Sequence, residues 1–315
     1  MSEANVVGEH ALTGDILDQG VPEQETMPQI VWRNFRRHPM GLFGVGMLSL
    51  IILLSVFAFL SPYDPEKIDN SNRWQTLSLE HPFGTDKNGR DILTRVAYGG
   101  RISLLVGLLA MTTASILGVV IGGLAGFHGG IVDNLLMRLA DFFFSFPQLF
   151  VLLFLSFILR ESNVAFMQGG LGNIILVIGL TSWMTVSRLV RVTFLKLRES
   201  EFVRAARSYG ASDAHVIWYH ILPNAMGPVI VSATMGMAWA ILIESGLSFL
   251  GYGIQPPTPS WGNMLQDARA TIGVFPWQTF FPGVMIFLTV ISLNYIGDAL
   301  RDALDPYKFV GHMRQ

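Results

Sequence analysis

Cysteine is absent from all 315 residues. That excludes disulfides, thiolate metal sites and a cysteine nucleophile, and it leaves the redox compartment open. Charge is scarce too: 14% of residues are Asp, Glu, Lys or Arg, against about a quarter in a soluble domain. With 51% hydrophobic residues and a mean hydropathy of +0.45, this deficit points to a membrane. The net charge of −2 supplies no basic field for nucleic acid. Residues 1–31 hold six acidic side chains but no Lys, no Arg and no apolar run. They are not a secretory signal peptide and read as a disordered cytoplasmic tail. His-Glu-x-x-His is missing, and His215 and His220 are five apart, which does not place them on one helical face for a metal.

What is present is a series of apolar stretches long enough, at about 18 residues or more, to cross a hydrocarbon core. Six are predicted: residues 40–60, 102–127, 142–159 with a start near 134, 171–187, 225–250, and 270–297, whose first residues can lie outside the bilayer. The predicted fold class is therefore an all-α integral membrane protein with six transmembrane helices. Basic residues at 33, 36 and 37 precede the first span, and others cluster at 188–207 and near the C-terminus. The excess of Lys and Arg on that side puts both termini in the cytoplasm. The domain reading is a tail at 1–31, a first span at 32–61, an extracytoplasmic segment at 62–101, a five-helix core at 102–300 and a cytoplasmic tail at 301–315.

Several local features carry expectations. Ala114, Gly118, Gly122 and Gly126 recur every four residues, a face that lets backbones approach closely inside the bundle or at a subunit interface. The outer segment 61–100 is too short to bury its own core and is expected on the bundle's outer surface. Ser260, after Pro256, Pro257 and Pro259, can cap a short outer helix through Trp261 and Met264. Residues 84–91 have the glycine spacing of a phosphate-binding loop. Arg90 and Asp91 replace the required Lys and Ser/Thr, so ATP hydrolysis by this chain is rejected and the segment reads as a turn-rich surface piece. Residues 246–251 are one residue too long for a nucleophile elbow.

Ionisable groups within spans are costly and usually face a bundle interior or a wet cavity. Glu244 is deep in the fifth span, where it either lines a pathway or ties helices together by hydrogen bonds. Asp141 and Arg138, three apart, can pair on the third span, as can Asp298 and Arg301 at the end of the sixth. Pro147, after Phe146, is expected to kink the third span. Asp141, Phe146, Pro147 and Glu244 are the candidate pathway residues.

Between the fourth and fifth spans lies a polar stretch, residues 199–224. It reads as two short helices broken at Gly210, the first with Phe202, Ala205, Ala206 and Tyr209 on one face. Gly210 is the C-terminal stop. Ser212 caps the second helix, with Asp213 in its first turn, and Pro223 is expected to force a boundary before the next span. On these grounds alone it is either an ordinary amphipathic loop or a rigid knob that another protein approaches.

The stretch resembles the coupling loop, or EAA motif, of bacterial ABC importer permeases: Glu-Ala-Ala, three residues, Gly, nine residues, then Ile-x-Leu-Pro. Ala205, Ala206, Gly210, Leu222 and Pro223 fall on that pattern. Arg204 stands where Glu is expected, which reverses a charge, and His220 stands where Ile is expected. Further stretches resemble the second permease subunit of oligopeptide and dipeptide importers. They are His81-Pro82-Phe83-Gly84-Thr85-Asp86, Gly100-Arg101-Ile102-Ser103-Leu104, Ser145-Phe146-Pro147, Glu244-Ser245-Gly246-Leu247-Ser248-Phe249-Leu250-Gly251, Pro259-Ser260-Trp261-Gly262-Asn263-Met264-Leu265 and Leu304-Asp305-Pro306. The similarity spans roughly residues 32–308.

The resemblance implies a type I importer permease core in a bacterial cell membrane. It implies coupling to an ATPase through Glu201, Arg204, Ala205, Ala206, Gly210, Ala211, Ser212, Asp213, His220, Leu222 and Pro223. The implied partners are a homologous second permease, two ATPase subunits that hold ATP and Mg, and an extracytoplasmic binding protein that delivers a short peptide. This chain itself would bind no cofactor or metal and would not be an enzyme. Nickel or glutathione uptake by the same architecture is the alternative. A proton-coupled secondary transporter with Asp141 and Glu244 as relay is a more distant one.

Overall fold

The computed structural model describes residues 26–304 apart from 162, 163, 165, 166, 168 and 169. Most of the acidic tail and residues 305–315 thus lie outside the described residues. Among those described the chain is helical, with one isolated β-bridge, Thr85 to Asp91. The helices are α1 (Met27–Arg36), α2 (Pro39–Val56), α3 (Ile92–His128), α4 (Gly130–Phe144), α5 (Gln148–Arg160), α6 (Leu171–Arg198), α7 (Glu201–Ser208), α8 (Leu222–Phe249), α9 (Trp261–Ala268) and α10 (Trp277–Leu304).

Five helical stretches are long and apolar enough to cross a membrane: Pro39–Leu60, Ile92–His128, Leu171–Arg198, Asp213–Phe249 and Trp277–Leu304. The predicted third span is different. It is two helices, α4 and α5, bent by 91° across Ser145, Phe146 and Pro147. Pro147 has no N–H to continue the ladder, and Ser145 Oγ donates to the Asp141 carbonyl at 3.0 Å, closing the end of α4. The six spans are therefore five continuous ones plus this broken pair.

Boundaries also move. The helix α1 starts at Met27 behind a capping box between Thr26 and Gln29, so the last residues of the expected tail are helical. The second span begins ten residues earlier than its apolar run, at Ile92, where the Asp91 carboxylate caps the Thr94 N–H at 2.8 Å. The fourth continues past the bilayer-length stretch to Arg198. The sixth starts only at Trp277.

The bundle is built on α3 against α6, its most extensive helix pair. Small residues decide how close the two come. A Cβ on Gly122 would lie 2.3 Å from the Ser187 carbonyl oxygen, and one on Gly126 would lie 2.6 Å from that of Arg191. The four-residue face is therefore an intramolecular packing surface. On the far side α10 packs along α2 and α8, and α8 closes against α3.

Residues 61–80 of the expected outer segment are exposed or half-buried, in keeping with a surface position, but the part that follows is not a surface layer. Thr85, Asp86, Arg90, Asp91 and Arg95 are buried. Asp86 Oδ2 lies 2.7 Å from Arg90 Nε and 3.7 Å from Arg95 Nε, and Asp267 Oδ2 lies 3.2 Å from Arg90 Nη2 and 3.8 Å from Arg95 Nη2. Two carboxylates thus hold two arginines and tie residues 85–95 to α9. Stacking of Phe83 on Phe281, ring centroids 3.7 Å apart, joins the same segment to α10.

Gly122→Val should push α3 from α6 and lower stability by about 3 kcal/mol, read as a drop in thermal melting in detergent. Gly46→Ala, where a Cβ meets nothing within 4 Å, should be close to neutral. Asp86→Ala should cost on the order of 3 kcal/mol by leaving buried guanidinium groups short of a carboxylate, with increased hydrogen exchange at 85–95 as a second readout.

Candidate functional site

At the end where α6 terminates, residues 199–224 form a compact knob. Helix α7 presents two faces. Val203 is fully buried, whereas Phe202 and Tyr209 are 43% and 93% exposed, with Ala205 exposed beside them. The outward face is the one that helical spacing marked. The stop is a Schellman turn: Ala211 N–H donates to the Ala206 carbonyl at 3.1 Å and Gly210 N–H to the Arg207 carbonyl at 3.0 Å. Gly210 has φ +85°, the left-handed region that costs a side-chain-bearing residue most. Arg207 Nη2 reaches Asp213 Oδ1 at 3.3 Å across the turn.

Beyond Gly210, Ser212 Oγ accepts from His215 N–H at 3.3 Å and caps the chain's return. The expected second short helix does not stand alone. One α-turn, Asp213–His215, runs into a π-helical segment, Val216–Ile221, and then directly into α8. Pro223 follows the π-segment inside the continuous helical stretch Asp213–Phe249, so it forces no boundary.

The knob is fixed to the bundle by its inner face. Val203, Val216 and Ile221, all fully buried, belong to the same apolar cluster as Val106, Ala114, Ile178, Val190 and Phe194 of α3 and α6. Arg198 Nη1 adds a hydrogen bond to the Phe127 carbonyl at 2.8 Å. Arg204, the reversed charge, donates to the Glu199 carbonyl at 2.9 Å through Nη2 and is spent on shaping the helix start. Glu201, Ser212, Asp213, Pro223 and the rest of the outward surface are exposed, while His220, Ala211 and Leu222 are half-buried. Phe202, Ala206, Tyr209, Gly210, His215 and His220 contribute to a shallow concavity of ≈ 670 Å³.

A second concavity, ≈ 810 Å³, lies among α4, α5, α6, α8 and α10, within the size range of small-ligand sites. Phe143, Phe144, Phe146, Met235 and Trp239 line it, with hydroxyls from Thr181, Ser182, Thr185 and Ser232 and the Gln148 amide. Arg301 stands at its edge. Of the four candidate pathway residues, Phe146 lines this space and Pro147 starts the helix that walls it. Asp141 does not; its carboxylate meets Arg188 Nη2 at 2.5 Å, not Arg138. Arg188 also covers the Phe144 ring at 4.2 Å. One turn pair away, Arg191 binds Asp133 with both nitrogens of its fork. Among the described residues Asp298 and Arg301 form no ion pair.

Glu244 is away from the cavity and fully buried. Its Oε1 accepts from Ser248 Oγ at 2.7 Å and Ser260 Oγ at 2.9 Å, and its Oε2 accepts from Ser103 Oγ at 3.2 Å. Each hydroxyl in turn accepts from a backbone N–H: Ile254 onto Ser248 at 3.1 Å, Asn263 onto Ser260 at 3.2 Å, Trp261 onto Ser103 at 3.3 Å. The carboxylate therefore ties α3, α8 and α9 together, the second of the two roles open to it. Ser248 lies four residues on, at helical spacing from Glu244, a signal the sequence reading did not use; Ser103 and Ser260 are far apart in sequence and no local rule points to them.

Comparison with known proteins agrees with this geometry. Residues 118–309 match the family described as binding-protein-dependent transport system inner membrane component. Residues 26–82 match the N-terminal TM domain of oligopeptide transport permease C. The chain is 40% identical over 290 residues to a dipeptide transport system permease protein, DppC, of Alkalihalophilus pseudofirmus, covering 90% of this chain and 93% of that one. It is 40% identical over 288 residues to a glutathione transport system permease protein, GsiD, of Escherichia coli O157:H7, covering 90% and 92%. Inward-facing structures of the MetNI methionine ABC transporter share the fold, with a TM-score of 0.56 and 16% identity over 67% of this chain and 96% of that chain.

Glu244→Ala should strand three buried hydroxyls and lower stability by on the order of 3 kcal/mol. Glu244→Gln, which keeps an acceptor for Ser248 and Ser260, should cost less. Melting in detergent, with hydrogen exchange at residues 254–268, measures both; an unchanged melt for Glu244→Ala would remove the hub from the account.

Proposed function

The chain belongs to the family of binding-protein-dependent transport system inner membrane components, and from that premise we propose that it is the permease subunit of an ATP-driven importer of short peptides. It is a multi-pass membrane protein and a transport subunit. In the proposed assembly a binding protein delivers peptide from outside, a homologous permease completes the path, and one of two ATPase subunits docks on the knob at residues 199–224. Both termini then lie in the cytoplasm.

One observation carries the reading: the knob is outwardly open and inwardly welded. Its outward face, exposed at Phe202, Ala205 and Tyr209 with Ala206 half-buried among them, is free to receive a partner, while Val203, Val216 and Ile221 are continuous with the apolar core of the spans. A displacement applied to the first is borne by packed side chains that behave as a solid, so it reaches α3, α6 and α8 with little loss. The ≈ 810 Å³ space beside Phe146 has carbon-rich walls with scattered hydroxyls, which suits solutes sharing a backbone but not a side chain. A dipeptide permease among the relatives supports the peptide reading, and a glutathione permease beside it keeps glutathione as the alternative substrate.

Cells carrying Gly210→Asp should keep the protein in the membrane at its usual level and lose uptake of a labelled dipeptide, as cells lacking the chain do. Normal uptake by the variant would overturn coupling through the knob. Loss of glutathione uptake with intact dipeptide uptake on deletion would overturn the substrate assignment alone.

A further inference from the structure

We propose that α1 is an interfacial helix whose Trp32, Arg36 and Arg37 form a docking surface for anionic phospholipid, in the leaflet on the N-terminal side. Only Arg37 and His38 separate α1 from the span that opens at Pro39, so the C-terminal end of α1 lies at the membrane boundary. One side is packed: Phe35, 7% exposed, sits against Ala299 and Ala303 at the end of α10. The other carries Trp32, 60% exposed, stacked on Phe35 with ring centroids 6.3 Å apart, and Arg36 lies 5.9 Å from the centre of the Trp32 ring.

Charge selects the occupant. Residues 27–37 contain three arginines and no acid. The nearby carboxylate at Asp302 faces His38 at 3.8 Å, and Arg36 and Arg37 are exposed. In the first turn and a half of the adjoining span α2, Met40 and Phe43 are 50% and 52% exposed, surface that hydrocarbon covers in a bilayer. One lipid can therefore lay its acyl chains along Met40 and Phe43 and bring its phosphate to Arg36 and Arg37. Trp32 sits at the level where amphipathic rings settle, and a cation close to the surface strengthens attachment to an anionic leaflet by several-fold.

The test gives the full-length chain, purified in detergent, equal amounts of phosphatidylglycerol and phosphatidylcholine with the same acyl chains, and counts bound lipid by native mass spectrometry. Phosphatidylglycerol should be retained in preference. That preference should fall by roughly tenfold in the Arg36→Gln, Arg37→Gln double variant and survive in the Arg36→Lys, Arg37→Lys variant. Equal retention of the two lipids, an unchanged preference in the glutamine variant, or its loss in the lysine variant would each overturn the proposal. Displacement of the lipid by inorganic phosphate would show a free-anion site instead. A preference appearing only after removal of residues 2–25 would make the acidic tail the occupant.

Discussion

Everything in this molecule hangs on the close approach of α3 to α6. In a bilayer, helices gain little from merely burying apolar surface against each other, because lipid is apolar as well; they gain from contact density. Gly118, Gly122 and Gly126 place the α3 backbone against Val186, Ser187, Val190 and Arg191. That contact fixes where α6 ends, and so where the knob begins. It also brings the start of α4 within reach of Arg191, which holds Asp133. The knob's position is thus inherited from a stripe of missing side chains some distance away.

Around this spine the polar groups are arranged by end of the bundle. The end away from the knob is closed by two carboxylate-centred assemblies, Glu244 with its serines and Asp86 with Asp267 and their arginines. Both join α9 to the long helices. Toward the knob the ionic contacts are more exposed, Asp141 with Arg188 and Arg207 with Asp213. Exposed pairs contribute little stability and break cheaply, whereas buried hydrogen-bonded ones hold rigidly. Hydrogen-bonded carboxylates are buried at one end and two ion pairs are exposed at the other, with the open cavity between.

The sequence was legible wherever a local rule decides. The apolar runs, the four-residue glycine stripe, the Gly210 stop and the Ser212 and Ser260 caps all depend on neighbours within a turn or two. It was less legible where a distant partner decides. The apolar run could not show that α3 starts at Ile92, because Arg95 there looks like a solvent residue until Asp86 and Asp267 are brought beside it. Asp141 was paired with the arginine nearest in sequence rather than with Arg188. Glu244 was seen as notable, but its role is set by hydroxyls from three elements. Proline was read rightly once and wrongly once: Pro147 does bend the third span, by 91°, whereas Pro223 interrupts nothing, because the helical stretch Asp213–Phe249 runs through it.

The π-helical segment at Val216–Ile221 joins the knob to α8 without a break. A π-turn carries one residue more than the α-turn it replaces. An α-helix advances about 100° per residue, so that surplus residue acts as an angular offset between the knob and the helix face that bears Glu244. The two ends of this 37-residue rod are keyed to one another like teeth on a common shaft. What is stored in those six residues is the relative phase of two surfaces that never touch.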